Sequence, residues 1–417
     1  MTSFQGDLVR PFAGLRPASN RGNDIAAPPY DVVSVSEARQ AAAGKPYSFF
    51  RVSRAEIEFS ETVDPYAPEV YEKAAQNLIR FEREGVLERD PTPCFYVYRI
   101  TVGEKTQTGV VVLASVAAYQ ENRIKKHELT RLSKEDDRVK QIEAVNAHTG
   151  PVLCVHKNNS ILSNILNQAA DRVADVIAEN VGGARHELWA IPDGAQIRHI
   201  SEIMNEMDAL YIADGHHRSA AGARVSATRR AANSEHRGDE NYNGFLVVSF
   251  PENEVTILDY NRVIKDLNGL RRDEFLKVVE NDFLIEPLDA PFRPPRKRTF
   301  GMYLAGQWSQ LSHKRTSLNE DPLESLDVTV LANGILEPVL GIRDQRTDPR
   351  IDFIGGSRGP EEVARRVDNG EMEVGFTVFP TNMSELMKVA DAGLIMPPKS
   401  TWFEPKLADG IISAPLN

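Results

Sequence analysis

Apolar and polar positions along the chain fall into short runs whose period changes many times. Val70, Ala74, Leu78 and Phe81 recur at helical spacing among charges, which predicts an amphipathic helix over Tyr66 to Glu84, ended by Gly85. The runs CFYVYRITV and GVVVLASVAAY, separated by a polar turn around Gly103 to Thr108, predict a hairpin. After Gly150-Pro151 the pattern predicts a strand in VLCVH, a helix from about Ser160 to Glu179, a strand near ELWAI and a helix over Gln196 to Met207. Ala209 to Ile212 reads as a buried strand, Asp214-Gly215 supplies turn chemistry, and the alanine-rich run that follows reads as a helix. Ala231 to Asn243 is polar and irregular, as expected of a surface loop, and NGFLVVSF and EVTILDYNRVIKDL add strands.

From about Asn268 the pattern changes. RRDEFLKVVEND predicts a helix, RTFGMYLAGQW a strand and turn, DVTVLANGIL a strand or short helix, and the last segment a strand followed by a helix over Ser384 to Ala392. PFRPPRKR reads as a proline-rich basic linker or loop. These patterns predict an α+β protein with one region over residues 1–267 and an additional C-terminal α/β region over 268–417. The irregular tail carrying Lys399, Thr401 and Lys406 either folds back as a lid over a cleft, where these residues would contact substrate, or packs as a terminal strap.

Length and charge narrow the function classes. At 417 residues the chain exceeds one ordinary core, and 49 basic against 60 acidic residues give a formal net charge of −11. That balance repels phosphate backbones and anionic lipid, so nucleic acid and membrane surfaces are not expected partners, whereas a small anionic ligand in a focused cleft is accommodated. Cys94 and Cys154 each sit in an apolar run and read as buried thiols, neither a disulfide framework nor a zinc ribbon. No basic segment followed by an apolar core opens the sequence and no apolar run reaches membrane-spanning length, which predicts a cytoplasmic protein. A homodimer is compatible with the sequence.

The candidate chemistry gathers at YIADGHHRSAAGARV, Tyr211 to Val225. Backbone N–H groups and the positive end of the macrodipole collect at a helix start, so Gly215, His216, His217, Arg218 and Ser219 form a candidate phosphate site, and the Asp214 carboxylate beside them suits the set to anion and metal chemistry. A second stretch, IKKHELTRLSKEDDR, brings Lys126 and Arg138 as further anion contacts and Glu128 as a carboxylate among bases. The His127-Glu128 pair does not extend to HExxH, because Arg131 stands where the second His would be. Neither GxxxxGK[ST] nor a GxGxxG after a strand is present. In AAPPYDVVS two prolines fix an extended entry that could turn Asp31 toward a pocket, ahead of a helix capped by Ser34 or Ser36. Asn261 and Arg262 end a predicted strand, and Arg262 is a further candidate substrate contact.

The segments APPYDVVS, KKHELT with KEDDR, GPVLCVH, YIADGHHRSAAGA, TILDYNRVIKDL and MPPKSTWFEPKLADG, in this order, resemble the bacterial domain-of-unknown-function family ten-fifteen over nearly the whole chain. The DGHHR segment is similar to that of the ParB/sulfiredoxin-like fold, and in particular to free-serine kinases built on it. That resemblance implies a ParB/sulfiredoxin-like core of mixed sheet and helices. It also implies transfer of a phosphoryl group from ATP, ADP or pyrophosphate, with Mg²⁺, to a small hydroxylated metabolite such as free L-serine. On this reading His217 joins Glu128 and Asp214 in the catalytic set, Asp214 approaches the metal, and Glu128 takes the hydroxyl proton. Two other readings stay open: a nucleotide-binding regulatory module without turnover, and a phosphohydrolase or nuclease on the same site.

Overall fold

A computed structural model describes residue 4 and residues 6–314 and 321–417. Met1 to Ser3 and Gln5, part of the stretch read as lacking a signal sequence, lie outside the described residues. The chain separates into two compact units, one made of residues 1–126, 130–255 and 405–417 and the other of 127–129 and 256–404.

The first unit is built on a nine-stranded sheet. Its main path runs Ile124–Lys125, Leu210–Asp214, Val152–His156, Gly244–Pro251, Lys105–Ser115, Phe95–Val102, Ala184–Ile191, Val176–Val181, and Val9–Arg10 adds to Lys105–Ser115. Leu210–Asp214 runs parallel to Ile124–Lys125, and Gly244–Pro251 parallel to Val152–His156, while the remaining pairs are antiparallel. The unbroken apolar runs follow from this position: Val110 to Ala114 and Phe245 to Val248 are all buried, as strands covered on both faces must be. One face packs Leu162, Leu166, Ile200 and Met204 of the helices Ser160–Ala169 and Gly194–Asn205. A separate core gathers Phe49, Phe50, Leu78 and Phe81, to which the amphipathic helix Pro68–Arg83 contributes its apolar stripe.

Two elements depart from the sequence expectation. The helix expected to reach Glu179 stops at Ala169, and Val176–Val181 pairs with Ala184–Ile191 instead. The turn between the end of the helix at Ala169 and the strand from Val176 is held by the Arg172–Asp175 ion pair and by the Trp189 indole N–H donating to the Arg172 carbonyl. The second hairpin strand stops at Ser115, whose hydroxyl accepts the Ala118 N–H and so starts the short helix Val116–Gln120.

The tail from Pro405 packs into the first unit as a strap. Leu407 to Leu416 is buried, with backbone bonds joining Asp409 to Ala27 and Ser413 to Leu15 and a bridge pairing Ala414 with His148. Anchored along its length in this way, it is not a lid.

The second unit carries a six-stranded sheet ordered Phe283–Leu288, Gln307–His313, Thr299–Leu304, Val374–Val378, Tyr260–Ile264, Ile351–Gly355. Every pair in it is antiparallel, so this region is α+β and not the α/β region expected. The helix Gly359–Asp368 packs Val363 and Val367 against Val263 and Ile354. The units divide after Val255, whereas the sequence pattern changes after residue 267, because Tyr260–Ile264 is a central strand of this second sheet. The ambiguous run DVTVLANGIL is helical, Asp327–Leu331 followed by a single wider turn. No helix among the described residues is long and apolar enough to cross a membrane.

Candidate active site

The site is built where Leu210–Asp214 meets the helix His216–Ala232. The pairing of this strand with Val152–His156 shifts register between Ile212 and Asp214, and such a bulge re-aims the last side chain of the strand. Gly215 follows with φ +101°, and a Cβ there would stand 3.0 Å from Arg218 Nε, so backbone and space both require glycine. Having no side chain, Gly215 cannot cap the helix start, which suits that end to an external anion. Small residues let the helix lie close on the sheet: a Cβ at Gly222 would meet His148 Cε1 and Phe245 Cβ, each at 3.1 Å.

Around the turn stand groups from five distant segments. Lys406 Nζ lies 3.3 Å and Arg218 Nη2 3.5 Å from Asp214 Oδ2, and Arg218 Nη1 donates to the Pro151 carbonyl. Asp409, fully buried, accepts the Tyr30 N–H at 3.1 Å. The Arg138 guanidinium lies 4.0 Å from the Tyr30 ring centroid and is held by Asp137 at 3.0 and 2.7 Å, while Asp137 also accepts the Tyr71 hydroxyl at 2.8 Å. Tyr30, Arg138, Gln141, His148, Arg218 and Asp409 line a cavity of about 370 Å³ counted with its open mouth.

Opposing forces set the charges here. Burial pushes the Asp214 carboxyl up, but Lys406 and Arg218 outweigh it and hold the group well below the usual carboxylate range. Burial likewise pushes Asp409 up, and although Arg218 opposes it, the repulsion of Asp31 adds to the rise, to about 7. Burial lowers Arg218 and Arg138, yet Asp214 and Asp31 around the first, and Tyr30 and Asp137 around the second, raise both above an ordinary guanidinium. The neutral side chains follow burial: Tyr30 is pushed up to about 12 and His148 down to about 4.

Of the residues picked out in the sequence, Asp214, Gly215, Arg218, Arg138 and Lys406 come together in this unit. Asp31 is exposed beside Tyr30, and its charge acts on both Arg218 and Asp409. His216 is buried at the helix start, and its charge acts on Asp214. His217 Nε2 accepts the Arg131 N–H at 3.0 Å, so that nitrogen ties two helix starts together. Lys126 Nζ lies 4.5 Å from the Tyr119 ring centroid. Ser219 does not fit the phosphate role: it is fully buried, it donates to the His216 carbonyl at 3.0 Å, and it faces the Tyr119 hydroxyl. The Asp214 carboxylate, expected to approach a metal, faces two cations here, Arg218 and Lys406. Glu128, Arg262, Lys399 and Thr401 belong to the second unit.

Tyr30 and Asp409 were not anticipated. A signal for Asp409 was available, because the tripeptide Ala-Asp-Gly occurs both at 213–215 and at 408–410. Gly410 has φ +84°, and a Cβ there would stand 2.7 Å from the Phe49 ring, so this second Asp-Gly is also a constrained turn.

The chain belongs to the family described as "Protein of unknown function (DUF1015)", which it matches over residues 9–329. No curated protein matches its sequence. Among solved structures it is similar to a free serine kinase in complex with AMP, at 13% identity, covering 72% of this chain and 89% of that one with a TM-score of 0.34. It is also similar to C-terminally truncated SbnI from Staphylococcus aureus, at 11% identity, 72% and 85% coverage and a TM-score of 0.38. A conserved hypothetical protein from Pyrococcus furiosus matches at 13% identity, 75% and 97% coverage and a TM-score of 0.33. Likeness at this level is distant, and the function is argued from the site.

Proposed function

We propose that this protein is a phosphotransferase that moves a phosphoryl group from a nucleotide or pyrophosphate to the hydroxyl of a small metabolite, with free L-serine the acceptor that the DGHHR resemblance singles out. The observation that carries this reading is the uncapped helix start after Gly215, with Arg218 and Lys406 beside it and the buried carboxyl of Asp409 on the same cavity wall as Arg218. The helix N–H groups and the two cations bind the donor phosphate and offset charge that develops on it. The acceptor oxygen attacks phosphorus, the bond to the leaving phosphate oxygen breaks with its electron pair, and the hydroxyl proton passes to a carboxylate.

In the first unit that carboxylate is Asp409. A group near neutrality is basic enough to take a proton and ionised often enough to be ready, while Asp214, held far below neutrality, is a weak base. Asp214 instead positions Arg218 and Lys406. Glu128, in the second unit, is the competing base. Mg²⁺ enters this reading as a companion of the donor phosphates, where it would screen their charge. AMP and ADP, bound by the free serine kinase and its variants, and pyrophosphate are the donor-side probes to use. Binding of ADP and pyrophosphate, followed calorimetrically, is expected to weaken at least tenfold in Arg218→Met. Equal affinity in wild type and variant, or no binding in either, counts against the donor site.

A further inference from the structure

The second unit contains a fully buried guanidinium that no carboxylate pairs among the described residues. Arg262 lies in the middle of the strand Tyr260–Ile264, in register with Phe353 on one neighbouring strand and Phe376 on the other, and is fully buried. Its Nη1 donates to the Tyr260 carbonyl. Nε and Nη2 have no hydrogen-bond partner among the described residues. The nearest carboxylate in sequence, Asp259, is engaged by Asn261 at 2.6 Å and by Arg293 at 3.6 Å. Burial accordingly lowers the guanidinium to about 10, with only Tyr260 opposing. The Phe353 ring centroid lies 5.6 Å from Cζ, a cation–π contact on the face of the guanidinium that leaves the Nε and Nη2 edge without a hydrogen-bond acceptor among the described residues.

Buried charges are ordinarily paired, and one left alone is costly enough to call for an explanation. The identity of the open atoms supplies one. Nε and Nη2 form the edge of a guanidinium that presents two parallel N–H donors, the edge that matches the two oxygens of a carboxylate or phosphate. Tyr260, two residues before Arg262 and therefore on the same strand face, has the Lys399 ammonium 5.6 Å from its ring centroid. Lys399 is exposed and has a left-handed backbone with φ +56°, unusual for a residue other than glycine. Arg262 and Lys399 thus each lie over one ring of the Tyr260–Phe353 pair, whose centroids are 6.0 Å apart.

We propose that Arg262 is the floor of an oxyanion-binding site in the second unit, taking a carboxylate or phosphate group in a two-point contact, with Lys399 as the outer positive charge. This inference does not depend on the phosphotransferase reading.

The test uses the full chain. Thermal unfolding is followed in rising inorganic phosphate or acetate, against sodium chloride at matched ionic strength. A rise in Tm with one anion above the chloride control is expected, and which anion gives it distinguishes phosphate from carboxylate. Measured in the Arg218→Met protein, which lacks the first-unit donor contact, the rise should persist, vanish when Arg262→Met is added, and weaken about tenfold in apparent affinity when Arg262→Lys is added. In the absence of anion, Arg262→Met should unfold at or above the wild-type temperature, since it removes an unpaired charge. In the Arg218→Met background, no rise with either anion, a rise that persists when Arg262→Met is added, or unchanged affinity when Arg262→Lys is added overturns the proposal.

Discussion

Lys406 Nζ and Asp214 Oδ2 stand 3.3 Å apart although 192 positions separate them in the chain. The C-terminal strap therefore completes the turn that carries Gly215 and Arg218. Lys406→Met should weaken ADP or pyrophosphate binding and lower stability by only about 1 kcal/mol, because the pair is partly open to solvent. Urea unfolding and calorimetry on one preparation read both effects. A large stability loss with unchanged binding would make Lys406 a packing residue only.

Gly215→Ala combines a left-handed backbone with a contact on Arg218. A stability loss of about 1–2 kcal/mol is expected from the backbone alone. Donor binding should fall as well, since Arg218 must move aside. Wild-type binding in a folded Gly215→Ala protein would contradict the role given to this turn.

Asp409 makes stability depend on pH with a definite sign. Its carboxyl is raised in the folded protein to about 7, so the folded state holds a proton that the unfolded chain releases from about pH 4 upward. The protonated group costs nothing at low pH, and stability is lost as pH rises from about 4 toward 7, then levels off. Asp214 has the opposite sign. Its depressed carboxyl contributes stability above the unfolded value, and that contribution is lost as pH falls through the folded one. Asp409→Asn should therefore flatten the decline between pH 4 and 7, in urea unfolding at a series of pH values, while leaving the acid limb in place. An unchanged profile would mean that Asp409 titrates as an ordinary carboxyl.

The two candidate bases separate kinetically. If Asp409 accepts the proton, Asp409→Asn should lower the transfer rate by two orders of magnitude or more with donor affinity within a few-fold, and Glu128→Gln should leave the rate near wild type. The reverse pattern would move the base to Glu128 in the second unit.

The sequence carried the local part of the site and little of the long-range part. The strand Leu210–Asp214 and the helix after it were legible because an apolar run, Asp-Gly and an alanine-rich run follow one another within about twenty residues. Of the two serines expected to cap the helix after Pro28-Pro29, Ser34 is the N-cap, and the box it closes with Glu37 was not anticipated. Asp409 was not legible: it sits in a strap with no periodic pattern, and its partner, the Tyr30 N–H, is 379 positions away. Ser219 looked like a phosphate contact because residue type does not show which side of a helix faces Tyr119. The boundary after Val255 was hidden because Thr256–Leu258 and Tyr260–Ile264 read as one apolar segment, although they pair in different sheets.

The central claim is phosphoryl transfer to a hydroxyl, and ³¹P NMR of the wild-type protein with ATP, ADP or pyrophosphate, Mg²⁺ and a panel of small hydroxylated metabolites including L-serine tests it most directly. Loss of donor signal matched by a new phosphomonoester resonance for one acceptor is the predicted result. Release of inorganic phosphate with no acceptor product, or unchanged donor in the presence of every acceptor, would contradict it.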